Sequence, residues 1–342
     1  MRIAVIGGGI LGASVGWHLA QGGARVTVFH AAAPGATEGS FAWINASLGN
    51  DPAYRRLRVV SMAAWPRLAA AAPGTGFQAC GGLMWDAPEA ELRAYVAGTE
   101  GYPLRLVDAD EARALEPALR QPPALAVHAP GEGMVEPVAA AAALRRGLEV
   151  VRSEVALVEV KGRAALRVAG AVRAYDAVVL AAGAASAGLL APLGLALSMH
   201  APLGMLAWSR PVARLLNGLV MMPDMHIRQT DEGRIVLGED YGGADPGIDA
   251  EAKARAMLAL ASERLDGPAL IFNHVTLAGR PTPGDGRPAV GALAMPGLWL
   301  ALSHSGVTLA PAIGAMLATQ MLTGARDPLL DPYAPDRLVQ LT

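Results

Sequence analysis

Residues 3–12 read Ile3-Ala4-Val5-Ile6-Gly7-Gly8-Gly9-Ile10-Leu11-Gly12, and the reading of this stretch decides the fold. Ile3 to Ile6 is a short, wholly apolar run, the pattern of a strand buried on both faces of a sheet. Three glycines end it, and from Ile10 to Gln21 apolar residues recur at helical spacing before a second strand pattern over residues 25–29. Strand, tight glycine turn, helix and second strand within thirty residues make the first βαβ-type unit of a dinucleotide-binding fold. Gly7, Gly9 and Gly12 give Gly-x-Gly-x-x-Gly in the context that makes it informative, directly after a strand and opening a helix. The chemistry behind that spacing is a backbone that comes close to a pyrophosphate while a helix N-terminus offers free N–H groups and partial positive charge. An Asp or Glu normally ends the second strand of such a unit and accepts hydrogen bonds from the adenosine ribose. His30 stands there instead; a neutral imidazole accepts one hydrogen bond and brings no negative charge, and facing a 2′-phosphate is its alternative role.

Outward from this unit, the composition sets the bounds. The chain has 342 residues, 53% of them hydrophobic, 17% charged and 5% aromatic, enough to bury one large or two modest cores. A net charge of −2 without runs of like charge argues against a nucleic-acid partner. The single cysteine, Cys80, excludes an internal disulfide and a cysteine-rich metal site, so no metal is expected and a cytoplasmic address is. Mean hydropathy is +0.33, raised by alanine and glycine, and no uninterrupted apolar run approaches the length of a membrane-spanning helix. Glycines also break the N-terminal apolar segment, which argues against a signal peptide. Helices are expected over 52–72, 88–97, 136–148, 250–264 and 307–322. Strands are expected over 77–85, 154–160, 165–168, 177–182, 203–208, 225–229, 234–237, 269–277 and 298–302. The last fifteen residues or so read as a surface tail.

Three stretches in the last quarter carry a resemblance: Ala278-Gly279-Arg280-Pro281, Gly284-Asp285-Gly286-Arg287-Pro288, and Ser303-His304-Ser305-Gly306-Val307-Thr308. With the N-terminal glycines, Glu132-Gly133-Met134-Val135-Glu136-Pro137 and the segment 40–46, the chain resembles the FAD-dependent D-amino-acid oxidase and glycine oxidase family, sarcosine oxidases and D-amino-acid dehydrogenases included. The resemblance implies an α/β fold, a Rossmann-like FAD-binding domain over 1–76, 130–199 and 279–342 interleaved with an antiparallel-sheet substrate domain over 77–129 and 200–278. It implies non-covalent FAD, since Cys80 does not match the flavin-linking cysteine of the sarcosine oxidases. It also implies oxidation of a small amino or imino acid by hydride transfer from the α-carbon to flavin N5, giving an imine, with oxygen or a quinone or electron carrier as acceptor.

Carried over residue by residue, the resemblance makes Arg280 the clamp on the substrate carboxylate, a task suited to the planar guanidinium fork. It places Thr37 and Ser40 near the FAD phosphates, Val155 near the adenine and Gly183 after the buried strand. Gly306, Val307 and Thr308 open the last helix, whose N-terminus would face flavin N1 and the C2 carbonyl and favour negative charge there. His226 replaces a tyrosine that borders the substrate, and it shares a strand face with Arg228, directed at the ligand or at solvent. His304 is a flavin-side polar group or a structural histidine; Tyr241 and His200 are weaker candidates. Ser303 and Leu203 depart from the family's glycine and arginine. Two other readings stay open: an NAD(P)-linked oxidoreductase, and a flavin-binding subunit or degenerate homologue that acts as an interaction protein. Hydrolase and kinase readings lack their motifs, and the oligomeric state is left open.

Overall fold

A computed structural model describes residues 1–31, 34–46, 51–239 and 245–341. The first strand, Arg2–Ile6, lies at the centre of a six-stranded sheet whose order runs 289–292, 298–302, 177–180, 2–6, 25–29, 149–151. The four pairings among the last five strands are parallel, and only Ala289–Ala292 runs antiparallel to Leu298–Leu302. The chain therefore leaves Arg2–Ile6 toward Arg25–Phe29 on one side, while Ala177–Leu180 lies on the other. That reversal of strand order opens a crevice at the carboxyl ends of the strands.

Ile3 and Val5 are buried beneath the helices Ile10–Gln21, Pro52–Ala71 and Gly306–Thr323, while Ala4 and Ile6 face a three-stranded antiparallel sheet of Val155–Val160, Arg163–Val168 and Ala171–Arg173. Burial on both faces explains the uninterrupted apolar strands. The helix Gly306–Thr323 has the length and apolar content of a membrane span, yet most of it is buried in the protein. It lies against Ile10–Gln21, where Gly314 leaves room for Ser14 and His18, and the Ser14 hydroxyl donates to the Ala310 carbonyl at 2.6 Å.

A second sheet has eight strands in the order 272–279, 203–211, 234–238, 225–229, 219–222, 82–84, 125–129, 105–108. Met205, Ala207, Ile227, Ile235 and Leu237 pack on one face with Ala254, Leu258 and Ala261 of the helix Ala250–Arg264. The alternate positions Leu206, His226, Arg228 and Gly238 look the other way. Phe41 of the first half of the chain lies against Gly238 on that side.

Several expectations are corrected. The strand expected over 77–85 is confined to Gly82–Met84, with Gln78 making a separate bridge to Met134. The helix expected over 136–148 is Pro137–Arg145, followed by the edge strand Glu149–Val151. The last residues are no surface tail: Leu330 and Tyr333 are buried, and Val339–Leu341 pairs with Leu195–Leu197. Arg337 holds this segment in place, donating to Asp285 at 2.7 Å and to the Pro288 carbonyl at 2.6 Å.

Candidate functional site

The crevice is a cavity of about 600 Å³, and its walls are the residues just beyond the carboxyl ends of the parallel strands: Gly7 to Gly9, His30, Ala181 to Gly183 and Ser303. Gly7 has φ +114°, and a Cβ there would run into the Ala181 carbonyl oxygen. Its N–H donates to the Phe29 carbonyl at 2.9 Å, and Ala181 N–H donates to the Ile6 carbonyl at 2.8 Å, so strand pairing fixes the turn. Gly12 does not line the cavity; it packs on the Gly7 carbonyl, where a Cβ would collide. Gly9 precedes the first helical residue and has no side chain with which to cap. The Thr37 hydroxyl does that instead, accepting from Ile10 N–H at 3.0 Å. Ser40 and Val155 line the cavity, and the Ser40 hydroxyl accepts from Ala42 N–H at 3.0 Å.

At the far end His30 sits on the cavity wall with its ring against Gly8. Arg145, a residue no sequence pattern singled out, reaches the same point from the end of the Pro137–Arg145 helix and donates to the Gly8 carbonyl. Burial lowers the His30 pKa first, Arg145 and Arg152 lower it further, and Glu38 opposes them. The imidazole is thus held neutral beside a guanidinium. Glu38 also lines the cavity, with one carboxylate oxygen accepting from Gly35 N–H at 2.8 Å.

At the near end Ser303, His304, Gly306 and Val307 form the wall where the helix Gly306–Thr323 begins. Thr308 is buried behind it; its hydroxyl donates to the Trp43 carbonyl at 3.1 Å and accepts from Asn45 N–H at 3.3 Å. This ties the segment 43–45 to the helix N-terminus. Trp43 is fixed from the other side by the buried carboxylate of Glu132, which accepts from the indole N–H at 2.6 Å and from the Tyr102 hydroxyl at 2.5 Å. His304 has its pKa lowered by burial first, then by Arg280, Arg58 and His200. The ring is exposed on the cavity wall, where partial desolvation and a surround of basic groups disfavour its charged form.

Arg280 follows the edge strand Phe272–Gly279, between the cavity-lining Gly279 and Pro281. Its guanidinium lies over Gly204, where a Cβ would meet Nε. No aspartate or glutamate among the described residues pairs with it, whereas ten ion pairs engage other arginines. His226 lies on the same sheet face, its ring 6.3 Å from Phe41 and 6.4 Å from Trp43. The carboxyl of Asp86 is close enough to feel it: burial raises the Asp86 pKa, and His226 opposes the rise.

Arg228 points neither at the cavity nor at solvent. It is fully buried, paired with Glu136 at 3.2 Å and lies 5.9 Å from the Phe41 ring, so it joins the two halves of the chain. Tyr241 lies outside the described residues. Leu203 is 44% exposed and makes no polar contact in place of the family's arginine. No cluster of three His, Cys, Asp or Glu fit to hold a metal occurs among the described residues. Cys80 is half-buried, and desolvation pushes its thiol pKa up to about 11, which makes it a poor nucleophile.

The sequence profile of a family described as FAD dependent oxidoreductase matches residues 2–320. A glycine oxidase of Pseudomonas aeruginosa is similar at 30% identity, with 98% of each chain covered. A second glycine oxidase, of Pseudomonas putida, is 33% identical over 189 residues, which is 52% of this chain and 51% of that one. Among solved structures, iminodiacetate oxidase from Chelativorans sp. BNC1 is similar with a TM-score of 0.85 and 26% identity, covering 98% of this chain and 99% of the other.

Proposed function

The chain belongs to the family of FAD dependent oxidoreductases, and on that premise we propose that it oxidises a small amino or imino acid whose carboxylate is gripped by Arg280. The nicotinamide reading gives way to FAD, the cofactor of the family. The cavity is of the size and apolar, glycine-lined character that a dinucleotide needs, with a close backbone approach at Gly7 and a helix N-terminus beside it. In this reading Gly7, Gly9, Thr37 and Ser40 lie along the pyrophosphate, His30 and Val155 take the adenosine half, and Gly183 and Gly306 to Thr308 take the flavin half. The six-stranded sheet then serves the cofactor, and the eight-stranded sheet serves the substrate.

The observation that carries the substrate assignment is Arg280, a guanidinium without an acid partner among the described residues, held over Gly204 beside the cavity wall. Such a fork binds two carboxylate oxygens at once. When bound, FAD supplies the hydride acceptor, and the protein's task is to orient the α-carbon and exclude competing geometries. Arg280 fixes the carboxylate, while Phe41, Trp43 and His226 gather on the same face of the eight-stranded sheet. Neutral His304 leaves the substrate nitrogen without a competing positive charge at that point of the wall. Glycine, its N-substituted relatives and small D-amino acids fit this frame, with the imine released to water. The final acceptor, oxygen or a carrier, and a cytoplasmic address belong to the same proposal.

The purified protein is expected to show the visible absorption of bound oxidised flavin, released by denaturation as free FAD. A colourless protein that takes up no FAD would instead favour the degenerate interaction protein. His30 gives a quantitative check. Replacing a neutral acceptor by a charged one is worth about 1 kcal/mol, so His30→Glu is expected to tighten FAD about fivefold in a fluorescence titration of the apoprotein. Equal or weaker binding would show that His30 does not face the ribose.

A further inference from the structure

Arg58, on the helix Pro52–Ala71, is 6% exposed, and no carboxylate among the described residues pairs with it. Every polar partner it has among the described residues is neutral. Nε donates to the Asn45 carbonyl at 2.9 Å, Nη2 to Asn45 Oδ1, and Nη1 to Ser305 Oγ at 2.6 Å and the Tyr54 hydroxyl at 3.5 Å. A buried charge without an opposite charge costs several kcal/mol. The location adds to the cost, because Ser305 precedes the first residue of the helix Gly306–Thr323, whose N-terminus carries partial positive charge of its own. The same guanidinium helps to hold His304 neutral. Two sources of positive charge thus converge at one end of the cavity, and no carboxylate among the described residues pairs with the guanidinium there.

Negative charge arriving at that end would relieve both costs. Arg58 cannot grip a ligand, since its nitrogens are already used and it stands behind Ser305, whose neighbours His304 and Gly306 form the wall. It acts through its field, which a buried, low-dielectric site transmits over a residue's thickness. Arg280, less buried and without an acid among the described residues, is left for the substrate.

We propose that Arg58 is a positioning residue that also supplies fixed positive charge to the flavin end of the cavity, favouring the cofactor in its reduced, negatively charged form. This inference rests on the FAD reading above. Hydride transfer moves two electrons and one proton from the substrate carbon, so the flavin gains one unit of negative charge while the substrate C–N bond becomes C=N and gains one of positive charge. A cation built in behind the flavin makes that separation easier and raises the reduction potential.

The test is the midpoint potential of the FAD-loaded protein without substrate, measured against a reference dye. Arg58→Met is expected to shift the ratio of affinities for reduced and oxidised flavin at least tenfold toward the oxidised form, about 30 mV for a two-electron couple. Arg58→Lys should recover most of the shift. Asn45→Asp, nearly isosteric, sets a carboxylate against the guanidinium and should lower the potential in the same direction without lowering Tm. If Arg58→Met and Asn45→Asp, loaded with FAD, both stay within twofold of the original ratio, Arg58 is only a tie between Asn45 and Ser305 and the proposal falls. Should Arg58→Met fail to fold, Asn45→Asp decides alone. Wild-type protein that binds no FAD would overturn the functional reading itself, a different result from flavin-loaded variants with an unshifted potential.

Discussion

Gly12→Ala is expected to give a protein that retains no FAD and is destabilised by several kcal/mol, the range reached when an atom is forced into a packed backbone. The new Cβ would be driven into the Gly7 carbonyl, and neither partner can rotate away because both belong to the main chain. Gly7→Ala should be as damaging for two reasons: the collision with the Ala181 carbonyl and a φ of +114° that side chains other than glycine avoid. Gly9→Ala is the control. The nearest atom to a Cβ there is the Thr37 hydroxyl at 2.8 Å, a side chain able to turn aside at the cost of its bond to Ile10 N–H. That variant should fold and hold FAD more weakly. The FAD-to-protein ratio after purification reads all three, and a Gly12→Ala protein with a full complement of flavin would contradict the account of the turn.

Arg280→Ala is expected to lower kcat/KM by about two orders of magnitude or more, since removing one partner of a desolvated, hydrogen-bonded charge pair costs about 3 kcal/mol. Most of the loss should appear in KM, because the carboxylate is held alike before and during hydride transfer. Flavin content and the resting spectrum should stay as they were. Arg280→Lys should recover only part, having the charge without the two-pronged geometry. Unchanged KM in Arg280→Ala, with flavin in place, would move the carboxylate site elsewhere.

The turn and its strands were legible because they are local: an apolar run, glycines at fixed spacing and a helical repeat all fall within thirty residues, and each has a steric cause found again in the structure. Arg280 was legible through the resemblance, which its neighbours Gly279 and Pro281 carry. Arg58 and Arg145 were not. Their partners Ser305 and Gly8 stand 247 and 137 positions away, and no periodicity encodes a contact of that range. Trp43 had no physical explanation in the sequence, and gains one only where the chain brings Glu132, 89 residues on, beneath its indole. Arg228 misled for a related reason. Strand alternation correctly put it on one face with His226, but only the fold reveals that Glu136 and Phe41 cover that face at Arg228 and leave His226 half open. The C-terminal residues read as a tail because Leu330 and Tyr333 are buried in a core shared with Tyr54, and Val339–Leu341 pairs with Leu195–Leu197, both contacts made far upstream.

The most direct test of the central claim is anaerobic mixing of the FAD-loaded protein with glycine, N-substituted glycines, iminodiacetate, small D-amino acids and proline, followed through the flavin absorption. One or more of these substrates is expected to bleach the oxidised flavin in the wild-type protein, and far more slowly in Arg280→Ala at the same substrate concentration. A flavin that no carboxylate-bearing amine reduces, or that Arg280→Ala reduces as readily as the wild type, would contradict the claim that this site oxidises an amino or imino acid held by Arg280.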